Sequence, residues 1–411
     1  RMDLGGTVAY TGKTKVNGST LRDLSGLNAT SGIEINKAAA SARATLELYN
    51  TQDTMIPLAT PIDLRGGCLR IAGGAWSNVN ETVGTVRLYP GESMIQTLPY
   101  YGTATLAVTN LQARGGAVLF ASGSSSYSSG PLGDVGGLRG NIHLSGQADG
   151  FMEGWAVALR YTDTGSKDFA WYFAGQGVQA YPLWLPRWSF LDPAAAGQDC
   201  QISGSKSMSD NLSIRSLMVN TTGTAIDLGG KTLKIASGGF LVDANSACTA
   251  SNGTLTADER FYFYVDDNTT TIGAVLADNG SQSVGLSKSG EGTLLLSGNN
   301  TFGQSDAASR NYVNAGKLAL SGQNASIGAF IVASAATLEI QATNALSARA
   351  CLELRHDGDS YGKINLVQNG TVGWLNAGGD WKAPGEYTSV NLGSYVSGAG
   401  KKLTVLRQGP P

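Results

Sequence analysis

The residues able to do chemistry are few and scattered. His143 and His356 are the only imidazoles in 411 residues. A Ser–His–Asp relay must use one of them, and neither stands in a nucleophile motif; no GxSxG, P-loop or HExxH pattern occurs. Carboxylate pairs are the stronger catalytic candidates, because a glycosidase needs two carboxyl groups about 5 to 10 Å apart across a cleft. The pairs are Asp266 with Asp267, Asp258 with Glu259, and Asp357 with Asp359. Neighbouring carboxylates on a strand point to opposite faces. In a turn they can cooperate, but a solvated corner is their commoner use. Asp357-Gly358-Asp359 offers oxygens suited to Ca²⁺, yet lacks EF-hand spacing and the nonapeptide repeat of calcium β-rolls, so it reads as an acidic turn. Four cysteines, Cys68, Cys200, Cys248 and Cys351, form no CxxC pair, which argues against zinc. They read as small buried thiols, with a Cys200–Cys248 disulfide as the alternative. No catalytic residue, no metal and no cofactor is expected.

Aromatic residues offer a different chemistry. Residues 167–188, KDFAWYFAGQGVQAYPLWLPRW, are the most aromatic part of the chain. Phe169, Trp171, Tyr172, Tyr181, Trp184 and Trp188 are candidate contacts for a glycan or a protein interface. The competing reading is a junction between two runs of coil, with rings filling an irregular core.

The elements that must position these side chains are short strands. Glycine is 56 of 411 residues, about twice the usual share, so turns are frequent. Gly and Asn punctuate runs of Leu, Val, Ile and Thr every few residues, and no helical period persists. In residues 284–320, VGLSKSGEGTLLLSGNNTFGQSDAASRNYVNAGKLAL, short strands alternate with Gly- and Asn-rich corners. Such a unit buries its apolar face only against copies of itself, the logic of a solenoid. Residues 9–21 echo its order about 290 residues earlier. Strand-and-corner units recur at roughly 20-residue intervals, within the solenoid range. The expected organisation is coils over 1–121, an irregular Ser/Gly-rich and aromatic-rich insertion or junction over 122–190, and coils over 191–411. The best repeat is 284–320 and a terminal coil lies at 381–406. Only 15% of residues are charged and the net charge is −2, which argues against a nucleic-acid partner held by phosphate neutralisation. No apolar run of about 18 or more residues suggests a membrane span. A chain beginning at Arg1 is expected to be a processed chain or an ordered fragment.

Residues 287–320 resemble the autotransporter-associated β-strand repeat, K-x-G-x-G-T-L-x-L-x-G-x-N-T-Y followed by T-x-V-N-x-G-x-L-x-L. Lys288, Gly290, Gly292, Thr293, Leu294, Leu296, Gly298, Asn300, Thr301 and Phe302 match the first half. Val313, Asn314, Gly316, Leu318 and Leu320 match the second. The closing residues 385–405 resemble the terminal coil of such proteins, which are large exported bacterial β-helix proteins of passenger type, common in verrucomicrobial and planctomycete-type bacteria. The resemblance implies an all-β fold, a right-handed parallel β-helix (β-solenoid), outside the cell or on its surface. It implies no catalytic residues.

The functional expectation is a non-enzymatic extracellular structural protein. It is a rigid rod serving as a surface, fibre or filament subunit, with itself as the first partner in self-assembly. The alternatives are an adhesin gripping glycans or host proteins through residues 169–188 and, below it, a polysaccharide-active β-helix enzyme.

Overall fold

Alternation along short segments decides the architecture. In Thr232–Ile235 and Thr293–Leu296 every second side chain is fully buried and its neighbours are half-exposed, so each strand commits one face to a core. The computed structural model describes residues 1–5, 11–23, 26–39, 42–49, 55–74, 77–99, 102–122, 132, 139–160, 166–182, 185, 187–190, 195–304 and 309–409. It is nearly all β, with parallel strands stacked coil on coil into a β-solenoid of about 13 turns among the described residues. The chain forms two compact units: residues 1–185 with 357–360, and residues 186–356 with 361–411. Most of the Ser/Gly-rich stretch between 122 and 140 lies outside the described residues.

In the first unit each coil gives one strand to each of two sheets. Sheet I runs in parallel through Met2–Leu4, Thr20–Asp23, Thr45–Tyr49, Cys68–Ala72, Glu92–Leu98, Ala117–Ser122 and Ala156–Leu159. Sheet II runs through Lys13–Val16, Gly32–Ala39, Ile62–Arg65, Val79–Leu88, Thr103–Ala113 and Arg139–Leu144. Leu46, Leu69, Ile95 and Phe120 stack in register as one inner column, each fully buried. Burial of such a side chain is worth about 1.5–3 kcal/mol. On the outer face of sheet I, charges alternate from coil to coil. Arg22 Nε donates to Glu47 Oε1 at 2.6 Å, Arg70 Nη1 to Glu47 Oε2 at 3.2 Å, and Arg70 Nε to Gln96 Oε1 at 2.9 Å. The parallel stacking then stops. Lys167–Phe173 joins Ala156–Leu159 antiparallel, and Gly177–Ala180 folds back on it as a hairpin.

The second unit has two sheets along its whole length and a third along part of it. Sheet III runs from Trp188–Ser189 to Asp380–Trp381 and sheet IV from Lys206–Ser207 to Val396–Ser397; sheet V consists of Leu212–Ile214, Thr232–Ile235, Thr254–Ala257 and Val275–Leu276. Leu294, Leu318, Leu338 and Ile364 form one fully buried column of sheet IV. Residues 284–320 supply two successive coils: Gly285–Ser289 and Arg310–Val313 are neighbours in sheet III, and Thr293–Leu296 and Lys317–Leu320 in sheet IV. The coils are longer than the 20 residues the sequence rhythm suggests. Leu217 pairs with Phe240, 23 residues on, and Leu294 with Leu318, 24 residues on. The extra residues turn the third corner, which carries little apolar signal after sheet V ends. One run read as a single strand, residues 214–219, is broken at Arg215 between Leu212–Ile214 in sheet V and Ser216–Val219 in sheet III. Antiparallel pairing ends this unit too, through Asp380–Trp381 on Trp374–Ala377 and Gly385–Tyr387 on Leu403–Val405. Among the described residues no helix is long and apolar enough to cross a membrane.

Candidate functional site

Most of the residues singled out for chemistry are occupied in holding coils together. His143 lies between the buried Ile142 and Leu144 on an outer position of sheet II. His356 stacks on Tyr361 with ring centroids 4.3 Å apart, and Tyr395 meets Tyr361 edge-on at 5.0 Å. Asp267 takes the backbone N–H of Asn245 on both carboxylate oxygens at 3.1 Å. Asp266, beside it in the same turn, is buried. Asp258 accepts from Lys234 Nζ at 2.6 Å and Asn279 Nδ2 at 3.3 Å. Asp357 and Asp359 lie in a hairpin formed by His356–Asp357 and Ser360–Tyr361. No group of three or more His, Cys, Asp or Glu among the described residues is placed to hold a metal ion. All four cysteines are buried and unbonded to one another, so the Cys200–Cys248 disulfide is absent. Burial pushes the Cys68 thiol up, and pushes Cys248 and Cys351 up to about 12, Glu353 adding to the effect at Cys351.

The polar residues of the repeat face inward. Lys288 is fully buried in a column whose neighbours are Phe263 and Val313. Its Nζ donates to the carbonyls of Gly290 and Gly292, both at 2.5 Å, and of Ala315 at 3.0 Å. The ammonium thus ties its own corner to the next coil. Gly290 has φ +80°, and a Cβ there would lie 2.0 Å from the Val265 carbonyl oxygen, which accounts for the glycine two places after the lysine. Asn314 donates to Ser287 Oγ at 3.0 Å. Asn300 and Asn324 are linked to each other at the corner where sheet V has ended.

The aromatic segment is divided. Phe169, Tyr172 and Tyr181 are buried, Trp171 and Trp188 are partly buried, and Trp184 lies outside the described residues. Phe169 packs edge-on against Phe151 at 5.3 Å, and Trp171 against Tyr181 at 5.2 Å. Trp188 belongs to the second unit and packs on its core. Three of the six rings are therefore packing groups in this structure, and Trp171 and Trp188 keep part of their surface toward solvent.

The structure adds a feature not singled out from the sequence. A polar recess of about 380 Å³ opens on the outer face of sheet III, lined by Glu259, Arg260, Tyr262, Gln282, Ser283, Gly285, Ser309, Arg310 and Tyr312. Its walls come from a repeated pattern. Arg260-Phe261-Tyr262 and Arg310-Asn311-Tyr312 both read R-x-Y, 50 residues and two coils apart, with Gly285-Leu286-Ser287 on the coil between. Strand alternation turns the Arg and Tyr outward and Phe261 and Asn311 inward. Arg260 bends across Gly285. Its Nη1 donates to the carbonyls of Leu286 at 3.0 Å and Arg310 at 2.5 Å, and its guanidinium lies 5.0 Å from the Tyr312 ring centre. The signal was present in the spacing of the two R-x-Y triplets, which emerges only when the coil length is known.

No protein-family profile, no curated protein and no solved structure matches this chain.

Proposed function

We propose that this protein is a non-enzymatic structural component, exported to the cell surface or the medium, in which stacked coils serve as a stiff spacer or as a subunit of a fibre. The observation that carries this reading is the inward use of the repeat's polar residues: Lys288, Asn300, Asn314 and Asn324 all bond to neighbouring coils and are buried. A repeat whose most distinctive side chains serve its own cohesion is selected for mechanical integrity. The resemblance of residues 287–320 to the autotransporter-associated repeat supports the extracellular setting. Self-association is the first partnership to test, because an edge strand offers unpaired N–H and C=O groups to a second chain. Electron microscopy and light scattering on the purified protein across a concentration series test it. Regular filaments support the fibre form, whereas a monodisperse monomer at high concentration leaves only the spacer form. Adhesion through residues 169–188 is the less supported alternative, because the surface left at Trp171 and Trp188 is small; a glycan array with the parent and Trp171→Ala separates it.

A further inference from the structure

We propose that the recess on sheet III binds an acidic sugar, a uronic-acid unit within an oligosaccharide or polysaccharide, and that it does so whether or not the chain assembles. Gly285 pairs with Arg260, and Leu286 with Asn311, which places Arg310 on the far side of Gly285. The two arginines therefore stand on alternate rungs, on the order of 9–10 Å apart along the stack. The rung between them carries only Gly285 and Ser287, so a slot opens with Arg260 and Tyr262 on one side and Arg310 and Tyr312 on the other.

The Arg260 guanidinium is set in place by two carbonyls and the Tyr312 ring before any ligand arrives. Only its Nη1 is used in these bonds. Arg310 is exposed, and its guanidinium forms no ion pair among the described residues. A planar carboxylate is the natural partner for such forks. Ser283 adds a second, independent sign: its Oγ is buried in the wall of the recess and has no hydrogen-bond partner. A ligand hydroxyl would satisfy it. Tyr262 and Tyr312 supply apolar ring surface, and Gln282, Ser309 and Glu259 supply groups that pair with sugar hydroxyls. Glu259 on the rim disfavours a densely charged polyphosphate, as does the net charge of −2.

The test is calorimetric titration of the full chain with oligogalacturonate and with the matching uncharged galactose oligomer. The expected result is binding of the acidic oligomer alone, weakening as salt is raised. Arg310→Glu should weaken it about tenfold or more while keeping the circular dichroism and melting temperature of the parent. A second variant, Gly285→Leu, keeps both arginines but obstructs the slot, since even a Cβ there would lie 2.8 Å from the Arg260 guanidinium; it should also abolish binding. Failure of the parent to bind, equal binding of the neutral oligomer, or full affinity in folded Arg310→Glu would each overturn the proposal.

Discussion

Asn300 donates from Nδ2 to the Oδ1 of Asn324, one coil further on, at 2.8 Å, and both side chains are buried. The ladder extends both ways: Leu276 N–H donates to Asn300 Oδ1 at 2.9 Å, and Asn324 Nδ2 donates to the Ala345 carbonyl at 2.9 Å. Amide side chains here replace the strand ladder that sheet V provided in earlier coils. Replacing either residue by Ala strands buried partners, so each single variant should lose about 1–3 kcal/mol of unfolding free energy. The double variant should lose less than the sum, because the shared bond is counted once. Urea titrations of the four proteins check this; strict additivity would show that the two amides are uncoupled.

Lys288 should be the most sensitive polar position of the repeat. Lys288→Met keeps much of the volume but leaves the carbonyls of Gly290, Gly292 and Ala315 without their ammonium donor. A loss of about 3 kcal/mol or more is expected. Lys288→Arg should not rescue it, since a larger planar head does not fit a column flanked by Phe263 and Val313. Denaturant midpoints close to the parent's in both variants would contradict the assigned role.

Acid and alkali should act on different ladders. Partial burial pushes the Glu339 carboxyl up, but hydrogen bonds from Lys317, Gln341 and Asn365 outweigh it and hold the group below its usual 4.5. Between those two values the unfolded chain binds the extra proton. The contribution of Glu339 is therefore present above about pH 4.5 and lost as pH falls through the lower folded value. Lys13 has the opposite sign. Its hydrogen bond to Glu34 raises it above 10.5 against the effect of burial, so its contribution is full below pH 10.5 and lost as pH rises through the folded value. Melting temperature against pH should show a shallower acid limb in Glu339→Gln and a shallower alkaline limb in Lys13→Met. Limbs of unchanged slope would refute both assignments.

The thiols should be silent in the folded protein. Cys68, Cys200, Cys248 and Cys351 are buried, and a thiol held near 12, as at Cys248 and Cys351, contributes almost no thiolate at neutral pH. A thiol-reactive dye should label none of the four in buffer and all four in denaturant, without reductant. Two labels in denaturant would reveal a disulfide.

Much of the fold was legible because strand alternation survives within a single rung. Arg260–Val265 and Thr293–Leu296 occur where the alternation and flanking glycines put them, and the corner at Asn314-Ala315-Gly316 separates Arg310–Val313 from Lys317–Leu320. What escaped was information shared between rungs. Lys288 looked like a surface cation because a lysine's preference says nothing about three carbonyls supplied by two corners. The recess escaped for the same reason: Arg260 and Arg310 become neighbours only once Gly285 is known to lie between them. At residues 167–188 composition alone could not tell exposed rings from packed ones, and the antiparallel pairing of Phe169 with Val157 decides it for Phe169.

The alternating charges of Arg22, Glu47 and Arg70 bear on how the chain finds its wrap. Apolar columns are nearly interchangeable: Leu46 could settle on Ile95 almost as well as on Leu69, and a coil would be looped out. Such a skip would bring Arg22 opposite Arg70 and Glu47 opposite Gln96. A like-charge pair would replace two attractive ones. The outer ladder therefore works as an error check during winding, penalising a miscounted turn before the interior has closed over it.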